Sequence, residues 1–136
     1  DMLILDEVLG AVALNMLSEN KLINFLENKP KGLEVILTGR DPSEKLCSLA
    51  DYISEIKKIY GTHLSKIILY GSYARGDFRP DSDVDIMILL DLSDLDLKKY
   101  SKELSYMTYD FNLDNDIDIK PIAKSESHFK KWVMKM

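Results

Sequence analysis

Residues 71–85 read GSYARGDFRPDSDVD, and the rest of the chain is organised around them. Just before them lies Ile67-Ile68-Leu69-Tyr70, an apolar run with the length and composition of a buried strand. Gly71 and Ser72 then turn the chain, and Ser72 to Arg75 can form one helical turn capped by the Ser72 hydroxyl. Such a turn presents free backbone N–H groups, and its glycine lets a ligand approach the main chain closely. The combination predicts a phosphate seat. A second strand, Asp83 to Leu90, opens on carboxylates at i and i+2. Alternation puts Asp83 and Asp85 on one face, with Val84, Ile86 and Ile88 on the other. Neighbouring carboxylates repel and call for a cation, and Mg²⁺ favours oxygen-only sites that include phosphate.

Bulk properties bound the answer. A chain of 136 residues is one domain or two very small ones, and 46% hydrophobic with 30% charged residues is ordinary for a soluble globular protein. A net charge of −5 argues against a broad basic surface for extended nucleic acid. The single cysteine, Cys47, cannot form an intramolecular disulfide or a thiolate cluster, which suits a reducing, cytoplasmic setting. No apolar run reaches membrane-spanning length. His63 and His128 are isolated and suggest no metal site.

With Gly71-Ser72 followed ten residues later by Asp83-Val84-Asp85, the stretch from roughly residue 50 to 136 resembles the minimal nucleotidyltransferase domains of the DNA polymerase β superfamily. The resemblance implies transfer of a nucleoside monophosphate from a nucleoside triphosphate, ATP for example, to an acceptor hydroxyl with Mg²⁺. Gly71, Ser72 and Arg75 would take the nucleotide's phosphates, and Asp83 and Asp85 would be catalytic and metal-holding. A third catalytic and metal-holding carboxylate is expected on a strand within NLDNDIDIKP, residues 112–121, where Asp118 matches best and Asp116 is the alternative. In that stretch Ile117 and Ile119 alternate with Asp116, Asp118 and Lys120.

The first third reads as strand, helix, strand, helix. Met2 to Asp6 is a strand, and Val8 to Leu26 is helical in two pieces broken near Ser18-Glu19-Asn20. Residues 33–38 are the next strand, and Asp41-Pro42-Ser43-Glu44 starts a helix with Asp41 as its cap. That order implies a parallel βαβ unit. MLILDEVLGAVALNML, KPKGLEVILTGRDPSEKL and LADYISEIKKI resemble the C-terminal part of the ATP:corrinoid adenosyltransferases over residues 1–57 or so. In that P-loop family Asp6 and Glu7 would correspond to a Walker-B-like element. No glycine here stands in a G-x-x-x-x-G-K-[ST] loop, so adenosyl transfer is not expected.

The two resemblances meet near Ala50 to Tyr60, and spacings of three and four from Leu46 to Tyr60 predict one continuous helix over 43–59, shared by both halves. The expected fold is therefore α/β: a parallel βαβ first half joined through a shared helix to a mixed-sheet, nucleotidyltransferase-like second half. A division at residues 1–57 and 58–136 within one compact body follows. Five strands, near 2–6, 33–38, 66–70, 83–90 and 115–121, would form a central sheet. Three functional readings stand side by side: a nucleotidyltransferase, a recombined or designed α/β chimera without catalysis, and a toxin–antitoxin-type module with a protein partner. No membrane association is expected, and a homo-oligomer is compatible with all three.

Overall fold

Apolar four-residue runs make the first two strands, β1 (Met2–Leu5) and β2 (Glu34–Leu37), which pair in parallel with Met2 opposite Glu34 and Leu5 opposite Leu37. The computed structural model from which this geometry is read describes residues 1–72, 79 and 82–134. Parallel neighbours need a long connection. Here it holds two helices, α1 (Val8–Ala13) and α2 (Glu19–Asn28). They bury Val8, Leu9, Leu22 and Ile23 together with Leu46, and Leu5, Val12, Leu17, Leu26, Leu37 and Leu49 pack around that cluster. Leu14 is 73% exposed, because α1 stops at Ala13 and Asn15 takes a left-handed conformation.

Two short helices follow, α3 (Glu44–Leu49) and α4 (Asp51–Tyr60). The cap of α3 is Ser43, whose Oγ accepts from the Leu46 N–H at 3.2 Å, and not Asp41, which is held at φ 53°. A left-handed φ is not the extended geometry that an N-cap takes, so Asp41 does not cap the helix. The expected unbroken helix over 43–59 is interrupted at Ala50, whose ψ of 111° is extended. The Ala50 carbonyl instead opens α4, accepting from both the N–H (3.0 Å) and the Oγ (2.9 Å) of Ser54. Asp51 then places its charge in the first turn, where the helix dipole favours it.

After a 3-10 turn at Gly61–His63 come β3 (Leu64–Tyr70) and β4 (Val84–Leu90), then α5 (Asp94–Asn115), β5 (Ile119–Ser125) and α6 (Glu126–Met134). The five strands do not share one sheet. β1 and β2 form a two-stranded sheet, while the other three lie in the order β3-β4-β5. In the second sheet β3 and β4 are antiparallel, and β4 and β5 are parallel. The architecture is thus α/β with a parallel first half and a mixed second half, as the sequence predicts. The chain divides into two compact units, Asp1–Ser54 and Glu55–Met136, with the division inside α4.

In the second unit the core follows the strand period. Val84, Ile86, Ile88 and Leu90 are buried, with Leu89, and Ile56, Tyr60, Leu104 and Ile119 join them. The Tyr60 ring meets that of Tyr100 on α5 at 5.2 Å between centroids. β5 begins at Ile119, four residues later than the strand predicted near 115–121, because α5 runs on through Asn115. Asn112 makes this possible. Its Nδ2 donates to the Ile119 carbonyl and its Oδ1 accepts from the Ile119 N–H, each at 3.0 Å, and Asp116 closes the helix at φ 51°. Pro121 is tolerated within β5 because that strand is a sheet edge, where a missing N–H costs no ladder bond.

Candidate functional site

The site is assembled where β3 ends and β4 and β5 begin. Tyr70, the last residue of β3, is the register partner of Asp85 on β4, and Gly71 follows it with φ +78°. A side chain at Gly71 would run into the Asp85 carboxylate, whose Cγ would lie 3.1 Å from the added Cβ. The glycine turn and the second aspartate are therefore in van der Waals contact. Burial first, and the Asp85 charge second, raise the pKa of the Tyr70 hydroxyl above its ordinary value.

The parallel pairing of β4 with β5 supplies the other side. Val84 pairs with Ile119 and Asp85 with Lys120, and the Val84 N–H donates to the Asp118 carbonyl at 2.8 Å. One residue ahead of that pairing stand Asp83 and Asp118, whose carboxyls lie close enough to push each other's pKa in opposite directions. Neighbouring carboxylates disfavour full ionisation of both unless a cation offsets their charge. The hydrogen bond to Asp83, then burial and the Asp83 charge, lift the Asp118 pKa above the usual carboxylate value. Asp83 is pulled down, first by its hydrogen bond with Lys120 and then by the one with Asp118. Lys120 Nζ stands 2.9 Å from Asp83 Oδ2, and its own pKa is raised by that contact.

The predicted residues thus fall as follows. Asp83, Asp85 and Asp118 stand at the starts of adjacent strands, and Gly71 abuts Asp85. Asp116, the alternative to Asp118, is the αL residue that ends α5. Ser72 is described only as the start of the turn, and Arg75 and the rest of that turn lie outside the described residues. Lys120 escaped the reading of single residues. Its signal was the alternation of Asp118 and Lys120, which places both on one face of β5.

The donor chemistry fits a hard divalent cation: three carboxylates on neighbouring strands offer oxygen alone. Among the described residues no three His, Cys, Asp or Glu side chains are grouped closely enough to hold a metal ion, and the cation beside Asp83 is the Lys120 ammonium. In the other unit, Asp6 Oδ1 accepts from the Thr38 hydroxyl at 2.8 Å, and the same Thr38 oxygen accepts from the Glu7 N–H at 2.8 Å. Those bonds close the loop after β1. A cavity of about 530 Å³ between α5 and β5, lined by Leu97, Ser101, Ser105, Ala123 and His128, contains none of the three aspartates. No described helix is long and apolar enough to cross a membrane.

Comparison with known proteins divides the chain in two. The family described as "Nucleotidyltransferase domain" matches residues 46–134, and that of "ATP:corrinoid adenosyltransferase BtuR/CobO/CobP" matches residues 1–66. The chain is 34% identical over 74 residues to a "putative protein adenylyltransferase" of Methanocaldococcus jannaschii, covering 54% of this chain and 73% of that protein. A second protein of the same name and organism is 42% identical over 45 residues, 33% of this chain and 45% of its own length. An uncharacterized protein of Nostoc is 34% identical over 68 residues, 50% of this chain. The chain spans 18% of that protein, so it corresponds to a fraction of two of these three relatives. No solved structure matches it.

Proposed function

We propose that this chain, which belongs to the nucleotidyltransferase domain family, transfers an adenylyl group from ATP to a protein hydroxyl. What supports the reading is the position of Asp83 and Asp118 one residue ahead of the β4–β5 pairing, with Asp85 the second residue of β4 and Gly71 in contact with it. The names of the two archaeal relatives favour adenylyl as the group and protein as the acceptor.

Each residue then has a physical task. Gly71 keeps the main chain bare, so that a triphosphate comes within hydrogen-bond reach of backbone N–H groups, with the Ser72 hydroxyl beside it. Arg75 would complete the seat as a phosphate counter-charge. Asp83, Asp85 and Asp118 would hold Mg²⁺, which when bound offsets phosphate charge and acidifies an acceptor hydroxyl. Asp118, whose pKa is raised above the usual carboxylate value, takes the acceptor's proton. The hydroxyl oxygen bonds to the α-phosphorus as the bond to the bridging oxygen breaks, and pyrophosphate leaves. The chain supplies orientation and charge, and no covalent enzyme intermediate is needed.

The test is transfer of label from α-³²P ATP to protein acceptors in a lysate, with Mg²⁺, for wild type and the variants D83N, D85N and D118N. The proposal expects labelled protein with the wild type and at least a hundredfold less, roughly the size of a lost electrostatic contact, with each variant. No labelling by the wild type, or equal labelling by all four proteins, would overturn it.

A further inference from the structure

Lys120 stands apart from the residues that the site's chemistry would call for. It occupies the position on β5 opposite Asp85, yet its ammonium bonds the neighbouring Asp83 at 2.9 Å. Its side chain is 59% exposed and free of close burial. The neighbouring oxygens are carboxylate oxygens, and with the ammonium on Asp83 no three such side chains of the described residues are grouped to hold a metal ion.

We propose that Lys120 is a displaceable counter-ion of the carboxylate cluster, holding Asp83 beside Asp118 before a divalent ion arrives and withdrawing from Asp83 when it does. The inference rests on the assignment of Asp83, Asp85 and Asp118 as the ion-holding residues. An ammonium and a divalent cation held against one carboxylate repel each other, so their occupancies compete. The ammonium is well suited to this exchange. It is a point charge on a flexible four-carbon stem, and an exposed ion pair contributes little enough to be given up. Arginine would grip the carboxylate with a two-pronged fork and release it less readily.

The experiment titrates the full-length protein with Mn²⁺ alone, followed by the EPR signal of the free ion, for wild type, Lys120→Met, Lys120→Arg and Asp85→Asn. Circular dichroism establishes that each variant is folded. Lys120→Met should bind Mn²⁺ about two- to fivefold more tightly than wild type, the range set by losing an exposed ion pair, and Lys120→Arg no more tightly than wild type. In wild type the Lys120 ε-methylene resonance should also shift on titration with diamagnetic Mg²⁺. Unchanged or weaker binding by Lys120→Met would overturn the counter-ion role. If wild type binds and Asp85→Asn does not, the ion-holding assignment survives that failure. If neither wild type nor Lys120→Met binds Mn²⁺, both readings fall together.

Discussion

Gly71 is packed against the carboxylate of Asp85 so closely that even one methyl group cannot be inserted between them. The same glycine carries φ +78°, a region that L-residues enter at a cost. Conformation and contact therefore constrain one position twice. Gly71→Ala should lose about 1–2 kcal/mol from the left-handed backbone alone. It should also displace Asp85, so Mg²⁺-dependent ATP binding should drop more than the stability loss accounts for. Urea denaturation beside calorimetric titration with ATP and Mg²⁺ checks both. A variant that keeps wild-type binding would separate the glycine from the site.

Much of this corner was legible because its determinants are local. Val84, Ile86 and Ile88 alternate with Asp85 and Met87, and the period of two alone gives a strand with one buried face. The Gly-Ser turn is equally local. The start of β5 was not legible, because residues 112–115 are Asn-Leu-Asp-Asn, in which all but Leu113 are poor helix formers that favour turns. They stay helical through bonds that sequence pattern does not display: Asn112 to Ile119, and Asn115 Nδ2 to the Phe111 carbonyl at 2.9 Å. The partnership of Lys120 with Asp83 was hidden for the same reason. It depends on the parallel register of two strands separated by a 22-residue helix. Sequence pattern points to Asp41 as the cap of α3, and its left-handed backbone, which that pattern does not display, passes the role to Ser43.

Asn112 is the clasp between helix and site. Its amide satisfies both main-chain groups of Ile119, the residue after Asp118. Asn112→Ala should cost about 1–3 kcal/mol, because it strands partly buried polar groups. Asn112→Asp keeps the acceptor for the Ile119 N–H but loses the donor, and should fall between wild type and alanine. Urea midpoints test the order. Two-dimensional NMR should show the largest amide shifts at Asp118, Ile119 and Lys120, and unmoved signals there would refute the clasp.

The long helix α5 starts on a single hydroxyl. Ser93 Oγ accepts from the Asp96 N–H at 3.2 Å and donates to Asp96 Oδ2 at 3.0 Å. Removing it in Ser93→Ala should destabilise the fold by about 1 kcal/mol, the usual size of a lost N-cap. Ser93→Asp should recover most of the cap but places a second negative charge against Asp96. Its recovery should therefore be better in high salt than in low salt. Thermal melts at two salt concentrations decide the matter, and an alanine variant as stable as wild type would contradict the assignment.

At the other end of β5 stands Glu126, the first residue of α6. The Ser65 hydroxyl is the larger cause and Lys130, at 3.2 Å, the smaller one in holding its carboxyl below the ordinary glutamate value of 4.5. A carboxyl with a depressed folded pKa is protonated first in the unfolded chain as pH falls. Its stabilisation is therefore complete above about pH 4.5 and disappears as pH drops through the lowered folded value. Glu126→Gln cannot make that transition. It should be slightly less stable than wild type at pH 7, and the two urea midpoints should converge in acid. Ser65→Ala should show part of the same loss, because the hydroxyl is the first cause of the shift. The effect is small, since Glu126 is only partly buried and water still screens it. Parallel stability profiles for wild type and Glu126→Gln from pH 7 to 3 would show that this carboxylate has no grip on the sheet.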